Sequence, residues 1–502
     1  MEPGFELPIR IPPRNSGDRL RALHQQLRAA ILAGRLQPGL RLPPTRALAK
    51  TYGVSRNTAI ATYDLLLSEG YIATRRGAGT YVADSLPRMR VRDGAPKRSA
   101  KRDRLVNEIW RQPTTVDRAL PSPVLRYNFR IGVPDTSQFP MDVWRRLSAR
   151  TLRKFSRASS IYESSAGRPA LREAIAKHVS FARAVACEPA DVVVTAGAQQ
   201  AFDLVARILI TPKRTVVAVE DPGYRRARMT FVAAGAKVVA VPVDEEGLIV
   251  DKVPTNARVI YVTPSHQFPS GAVMSPRRRA ALLEFASARD AVVIEDDYDA
   301  EFRYGDRPLD ALQTLDRSES VFYIGTFSKS LFPDLRLGFV VAPTWAHAAL
   351  TGAKHLVDGQ CPPQNQQTLA QFISEGHLAR HVRRMRQVYA ARRALLLDGL
   401  REQLGPWLTA VPSAAGLHLA ALTSAEVDAA AIVERARQSG VGIYSLREFQ
   451  VGRVGKSGLV FGFGEITERE ITEGLSRLRR ILSDHAPEVF ASPRGRGRAK
   501  PG

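Results

Sequence analysis

Hydrophobic positions in the first 85 residues recur at helical spacing. Leu20, Leu23, Leu27 and Ile31 lie 3, 4 and 4 residues apart, one face of a helix that stops at Gly34. The turn LQPGLRLPP leads into a short helix over residues 45–50, and Gly53 turns the chain before Ser55, a residue type that caps helices. The next helix carries Ile60, Tyr63 and Leu67 on one side and ends at Gly70. YIATRRGAGTYV then reads as two short strands joined through Gly77 and Gly79. Short helix, glycine turn, longer helix and hairpin make the pattern of a winged helix-turn-helix over residues 1–85, whose second helix enters a major groove.

A different rhythm runs from Tyr127 to about Phe490. The apolar runs DVVVT, TVVAVED, ARVIYVT, AVVIEDD and VFYIGT alternate with amphipathic helical stretches. That alternation predicts an α/β domain over residues 126–490, a parallel sheet with helical crossovers. Between the two patterns, residues 86–125 lose periodicity and include RMRVRDGAPKRSAKRDR, with Pro121 and Pro123 near their end. This stretch is expected to be a basic, largely extended linker. The end of the chain, ASPRGRGRAKPG over 491–502, is low in complexity and expected to be disordered.

Composition narrows the picture. Apolar residues make up 44% of the 502 and charged residues 24%, a globular balance. Two cysteines, Cys187 and Cys361, cannot form a disulfide framework and suggest a reducing cytosol. No apolar run approaches the roughly 18 residues a bilayer span needs. The opening MEPGFELPIR lacks the apolar core of a signal peptide, so a cytoplasmic protein is expected. Charge adds a partner. Lys and Arg number 73 against 49 Asp and Glu, a net +24, and residues 1–125 hold 22 basic against 10 acidic residues, half of that excess. The excess is consistent either with a polyanionic partner or with a solvated, Arg-rich surface. Ser55, Arg56, Asn57 and Thr58 open the second helix with hydrogen-bonding side chains, and Arg75 and Arg76 sit on the hairpin, suited to bases and phosphates.

In the large domain the apolar runs break off into polar or glycine motifs. Ligands of open parallel sheets lie beyond the carboxyl ends of the strands, so these motifs converge on one crevice. Lys329 follows VFYIGTF; such an amine forms an imine with an aldehyde if burial removes its proton, and is otherwise a surface lysine. Asp296 ends AVVIED, where a buried carboxylate requires a cation such as a protonated pyridine nitrogen. Tyr298 stands two residues on, within reach of a phenolate oxygen; EDDYD also reads as an acidic turn or a divalent-metal site. TAGAQQ carries a glycine turn into a helix, so the N–H groups of Gly197, Ala198 and Gln199 are set to hold a phosphate. Thr326, Ser328 and Arg336 add hydroxyls and a cation beside the lysine. Together these groups describe a site for pyridoxal 5′-phosphate.

Two family resemblances follow. PGLRLPPTRALAKTYGVSRNT with EGYIATRRGAGTYV resembles the winged helix of the GntR family, which implies that Arg46, Ser55, Arg56, Asn57, Thr58, Arg76 and Gly77 face DNA. Residues 127–490 resemble fold-type I aminotransferases through FRIGVPDTSQFP, YESSAGRPALREAI, VTAGAQQA, VEDPGY, TPSHQFPSGAVM, IEDDYDAEFRY and TFSKSLFPDLRLGF. The combination resembles MocR-type regulators and implies a mostly parallel sheet with a smaller C-terminal α+β subdomain. By that resemblance Lys329 binds the cofactor as an internal aldimine, Asp296 pairs with its ring nitrogen, and Tyr298 with Gln267 or its neighbour serves the O3′ side. Tyr224 stacks on the ring. Ala198, Gln199, Ser328 and Arg336 hold the phosphate, and Tyr162 reaches across from a second subunit.

The resemblance further implies a homodimer, often head-to-tail, with each winged helix on its partner's large domain. Its partners are a double-stranded DNA operator and a small effector, pyridoxal phosphate itself or an amino compound bound as its aldimine. No metal is expected. The alternative is an active aminotransferase that carries a DNA-binding head. Fold-type I enzymes acting on amino acids place an arginine for the substrate carboxylate near the start of a late strand, but SGLVFGFGEIT puts Leu459 or Val460 there. Arg453 and Lys456, just upstream, are the candidate substitutes. A leucine does not replace a bidentate guanidinium contact, so a regulator is expected over an ordinary transaminase.

Overall fold

The computed structural model describes residues 7–13, 18–75, 77–84, 105–111, 125–157, 162–299, 301–304, 310–452 and 455–485. Contacts divide the chain into two units, residues 1–107 and 108–502. Most of the expected linker and all of the expected tail lie outside the described residues; within the linker, Glu108–Arg111 forms one helical turn.

In the first unit, helices α1 (Arg19–Leu32), α2 (Thr45–Thr51) and α3 (Arg56–Ser68) precede the antiparallel strands β1 (Ile72–Arg75) and β2 (Gly79–Val82), which pair Ile72 with Val82. Leu23, Leu27 and Ile31 of α1 close on Leu48, Ala59, Tyr63, Leu66, Ile72 and Val82. One expected face is corrected. Ile60 and Leu67 are 37% and 42% exposed, while Ala59, Thr62, Tyr63 and Leu66 face inward. The helix carries apolar residues on two adjoining stripes, so spacing alone does not choose between them. Ala59, having only a methyl, lets α3 approach its neighbours closely, and the buried Thr62 hydroxyl is satisfied by donating to Thr58 O at 2.8 Å.

The second unit is built on an eight-stranded sheet. Its strands in chain order are β3 (Val192–Thr195), β4 (Val216–Asp221), β5 (Lys237–Asp244), β6 (Gly247–Leu248), β7 (Ala257–Val262), β8 (Val292–Asp297), β9 (Val321–Thr326) and β10 (Gly338–Val341). The spatial order is β3-β10-β9-β8-β7-β4-β5-β6. β9, β8, β7, β4 and β5 run parallel; β10 is antiparallel to β9 and β3, and β6 to β5. Helices cover both faces, α4 (Pro169–Arg183) among them, so the strands are apolar on both sides. Val193, Val217, Tyr261, Ile294 and Phe322 pack with helix α5 (Ala198–Leu209) on one face, whereas Val216, Ile260, Val293 and Val321 form a separate cluster on the other.

A smaller four-stranded antiparallel sheet, β11 (Leu408–Ala410), β12 (His418–Thr423), β13 (Tyr444–Ser445) and β14 (Gly458–Gly462), makes the C-terminal α+β part with helix Glu468–His485. Tyr127–Asn128 pairs in parallel with Val441–Gly442, which ties the start of this unit to its end. The parallel register brings the carboxyl ends of β3, β4, β7, β8 and β9 to one edge. Gly338, which begins β10, pairs there with both Thr195 and Thr326.

Candidate functional site

The N-terminus of α3 is built by Ser55. Its extended backbone (φ −69°, ψ 152°) turns Oγ onto the helix, where it accepts the Thr58 N–H at 3.0 Å and lies 2.8 Å from Thr58 Oγ1. The cap satisfies one first-turn amide and leaves Arg56 and Asn57 exposed at the helix tip. Arg46 is exposed on α2. Gly77 takes φ +76° in open space at the hairpin tip; Arg76 lies outside the described residues. Arg75 is pinned to the hairpin, 3.2 Å from Asp84 and over the Tyr81 ring at 4.8 Å. Ser55→Ala should therefore destabilise this unit by about 1 kcal/mol, read as a lower first thermal transition of the full chain.

The second site forms at the sheet edge. Alternation along β8 turns Asp296 to the same face as Ile294, and Tyr261 of β7 shares that face. Tyr261 donates to Asp296 Oδ2 at 2.6 Å, while Asp296 Oδ1 is buried with no protein partner. Burial pushes the Asp296 carboxyl up to about 7; the Tyr261 hydrogen bond opposes this, and Asp297, Asp299 and Glu220 add to it. A bare buried oxygen of this kind requires a donor.

Lys329 follows β9 by three residues and is directed back into the crevice, donating to Gly132 O. Gly132 has φ +70°, and a Cβ there would lie 3.1 Å from the Lys329 nitrogen, so the missing side chain makes room for the amine. Burial lowers the Lys329 pKa, Asp299 and Asp296 pull it up, and Arg226 and Arg336 push it further down. Desolvation thus favours the neutral, nucleophilic amine.

The anion-binding end lies at the start of α5. Gly197 (φ +84°) turns the chain into the helix, and the N–H groups of Ala198 and Gln199 precede the first intrahelical bond, which Gln200 donates. Arg336 donates to Ala196 O at 2.9 Å, and a Cβ on Gly197 would stand 3.3 Å from its guanidinium. Ser328 is bonded to Thr326, Oγ to Oγ at 3.1 Å. The Gln199 carboxamide binds Thr230 at 2.6 Å, so it is the Gln199 backbone that faces the helix opening.

Other expected residues are distributed less simply. Tyr298 lies 3.0 Å from His266 Nδ1 and donates to His266 O at 3.0 Å. Of the two positions left open beside it, His266 is the one in contact. The Gln267 carboxamide is taken up elsewhere: it donates to Phe268 O and accepts from Ser270 in its own loop, and donates to Pro222 O in the loop after β4. Tyr224 is half-buried between Phe268 and Phe202, both edge-on. Tyr162 is 97% exposed on the single chain. Leu459 and Val460 are fully buried in the small sheet, Lys456 lies 3.4 Å from Glu245, and Arg453 is outside the described residues.

Sequence reasoning missed Tyr261, Asp299 and Glu220, and offered His266 only as the neighbour of Gln267. His266 and Asp299 stand inside the quoted motifs TPSHQFPSG and IEDDYD, but nothing in either motif shows that they meet. Glu220 is buried beneath Thr263 and pushed up to about 7, chiefly by burial.

Residues 20–82 match the gntR family of bacterial regulatory proteins, and residues 127–478 match aminotransferase class I and II. The chain is similar to the probable rhizopine catabolism regulatory protein MocR of Rhizobium meliloti, 39% identical over 91% of this chain and 92% of that protein. The chain belongs to the MocR-type gntR regulators. The MocR-type chain is also similar to PdxR of Corynebacterium glutamicum, a pyridoxine biosynthesis transcriptional regulator, 32% identical over 95% of this chain and 99% of that protein. Its larger unit resembles the α-aminoadipate aminotransferase LysN of Thermus thermophilus, solved with N-(5′-phosphopyridoxyl)-L-leucine. There the TM-score is 0.69 and identity 27%, covering 76% of this chain and 98% of LysN.

This MocR-type chain is thus a helix-turn-helix transcription regulator with an aminotransferase-like domain, and DNA is its partner. The fold supports pyridoxal 5′-phosphate as its cofactor. The residues fit that group: a bare carboxyl oxygen, a desolvated amine, and a glycine-opened helix start flanked by an arginine. Among the described residues, no helix is long and apolar enough to cross a membrane.

Proposed function

We propose that this chain is a cytoplasmic, homodimeric regulator whose large unit senses pyridoxal phosphate or an amino compound joined to it. The reading head spans 1–85, the linker 86–125, the effector domain 126–490 and a basic tail 491–502. The observation that carries this reading is the convergence of Lys329, the bare oxygen of Asp296 and the amides of α5 on one sheet edge.

In that reading Lys329 holds the cofactor through its amine, Asp296 faces the ring nitrogen and Tyr298 the phenolic oxygen. Tyr224 lies against the ring. The Ala198 and Gln199 amides, Ser328 and Arg336 receive the phosphate. When bound, pyridoxal phosphate supplies an aldehyde reactive toward primary amines and an electron-withdrawing pyridinium ring. Asp296 keeps the ring nitrogen protonated only as a carboxylate, and the cation it gains compensates the burial that raised its pKa.

Exposed aromatic rings support the dimer. Tyr162 and Phe181 are 97% and 95% exposed on the single chain, so both rings are open to a second subunit. Tyr162 is assigned to the site of a second subunit. On the DNA side, Arg46, Ser55, Arg56, Asn57, Thr58, Arg76 and Gly77 make the reading surface, and a two-fold dimer reads two half-sites. An effector regulates only by binding one arrangement of the dimer more tightly than another.

Anisotropy titration of a labelled operator duplex tests both parts. Arg56→Ala is expected to weaken binding by about 1–3 kcal/mol if the guanidinium reads a base edge. Addition of pyridoxal phosphate, or of an amine to the loaded protein, is expected to shift the operator affinity or the pattern of half-site occupancy. Identical titrations with and without cofactor and amines would rule out sensing.

A further inference from the structure

Behind Tyr298 lies a buried pair that the cofactor site does not use directly. His266 and Asp299 are 1% and 2% exposed, and His266 Nδ1 stands 3.1 and 3.2 Å from the two Asp299 oxygens. The space is shaped to the imidazole: a Cβ on Gly416 (φ +80°) would lie 2.0 Å from His266 Cε1 and 2.1 Å from Nδ1. Asp299 also accepts the Leu417 N–H at 3.3 Å.

The protons can be assigned by chemistry. A carboxylate only accepts, so His266 Nδ1 carries the hydrogen and shares it between Asp299 and the Tyr298 oxygen. His266 Nε2 is buried without a protein partner. The Tyr298 hydroxyl donates to His266 O, so its oxygen is free to accept from Nδ1. One rotation about the C–O bond would redirect the O–H while Nδ1 keeps hold of the oxygen.

Resting on the cofactor reading above, we infer that Asp299, His266 and Tyr298 form a relay whose last hydrogen bond is donated to the cofactor's phenolic oxygen. His266 and Asp299 are positioning residues; Tyr298 makes the contact. A donor on the Tyr298 oxygen polarises the hydroxyl and makes it a stronger donor in turn. The charged and titratable groups facing this relay are Asp296 and Asp297 at the end of β8, Glu220 at the end of β4, Tyr304, Lys329 after β9, and His418 at the start of β12, whose ring lies 4.5 Å from that of His266. Burial, followed by the neighbouring His266, holds His418 well below the usual imidazole range, so it adds no charge. His266, Asp299 and His418 also offer donor atoms within 4.8 Å of one another, as metal ligands do. The proton on Nδ1 occupies the lone pair a metal would need at that atom.

The test is a spectroscopic pH titration of the protein loaded with pyridoxal phosphate. The readout is the midpoint at which the visible band changes from its protonated to its deprotonated form. A hydroxyl donating to the phenolic oxygen stabilises its anion, so losing the donor should raise the midpoint. Tyr298→Phe is expected to raise it by about one pH unit. His266→Leu should raise it by roughly half as much. His266→Asn, whose amide nitrogen takes the place of Nδ1, should restore the wild-type midpoint, whereas His266→Gln, which reaches toward the Nε2 position, should not. That pair keeps the comparison available if the leucine variant fails to fold.

A His266→Leu or His266→Gln midpoint equal to wild type, with Tyr298→Phe shifted, overturns the relay and leaves the cofactor reading intact. An Asn variant that behaves like Gln overturns it too. A visible band whose midpoint ignores Tyr298→Phe refutes the placement of the phenolic oxygen itself.

Discussion

Lys329→Ala is expected to abolish the visible absorbance of the cofactor-loaded protein. No other lysine stands at this sheet edge among the residues that build the site, and the amine is desolvated toward its reactive, neutral form. The variant should fold normally, because removing a buried amine removes a group whose charged form burial disfavours. Operator binding without cofactor should persist, since the reading helix belongs to the other unit. Absorbance spectra of the wild type and variant, each mixed with pyridoxal phosphate and desalted, provide the measurement. A variant that keeps the band through desalting would show that a different amine holds the cofactor.

Asp296→Asn should act in opposite directions on the loaded and empty protein. With cofactor, a carboxylate facing a pyridinium is replaced by a neutral amide. A hydrogen bond to a charged group contributes about 1.5–3 kcal/mol, so cofactor affinity should fall roughly 10- to 100-fold. Without cofactor the sign reverses. The Asp296 carboxyl titrates near 3.8 when unfolded and is pushed up to about 7 in the fold. Between those values the folded state binds a proton that the unfolded chain has released, so stability falls as pH rises through this window. Asparagine does not titrate. The empty variant should therefore gain stability relative to wild type as pH rises from about 4 to about 7, and keep that gain above it. Thermal unfolding at about pH 4 and about pH 8, at the two ends of this window, checks this. A variant less stable than wild type at the higher pH would mean that Oδ1 is satisfied in the empty protein.

Much of the site was legible because it follows from local rules. Alternating apolar residues end in polar ones only where a strand leaves the sheet, and parallel strands bring those ends together. Asp296, Lys329 and the glycine turn before Ala198 were therefore readable one at a time, without coordinates. The winged helix was readable for a similar reason: caps, glycines and 3.6-residue spacing act over a single turn. Its inward face was not. Ile60 and Ala59 are neighbours on the helix, and only the closeness of packing around Ala59 decided which of them turned inward.

The pairings between distant segments could not be read in this way. Tyr261 reaches Asp296 because β7 and β8 are neighbours at one particular register; shifting either strand by one residue would turn the tyrosine to the opposite face. His266 meets Asp299 and Tyr298 because the loop after β7 folds over the end of β8, with Gly416 of a still later segment leaving room for the ring. Gln267, beside it in the chain, is an equally good candidate by sequence, but its carboxamide is spent on Ser270 and on Pro222 of the loop after β4. Residue types and strand ends thus announced which chemistry this chain carries, because those signals are written within a few residues. Which side chain supports which was left to strand register and loop packing, where groups tens of residues apart are brought within hydrogen-bonding distance only by the folded chain.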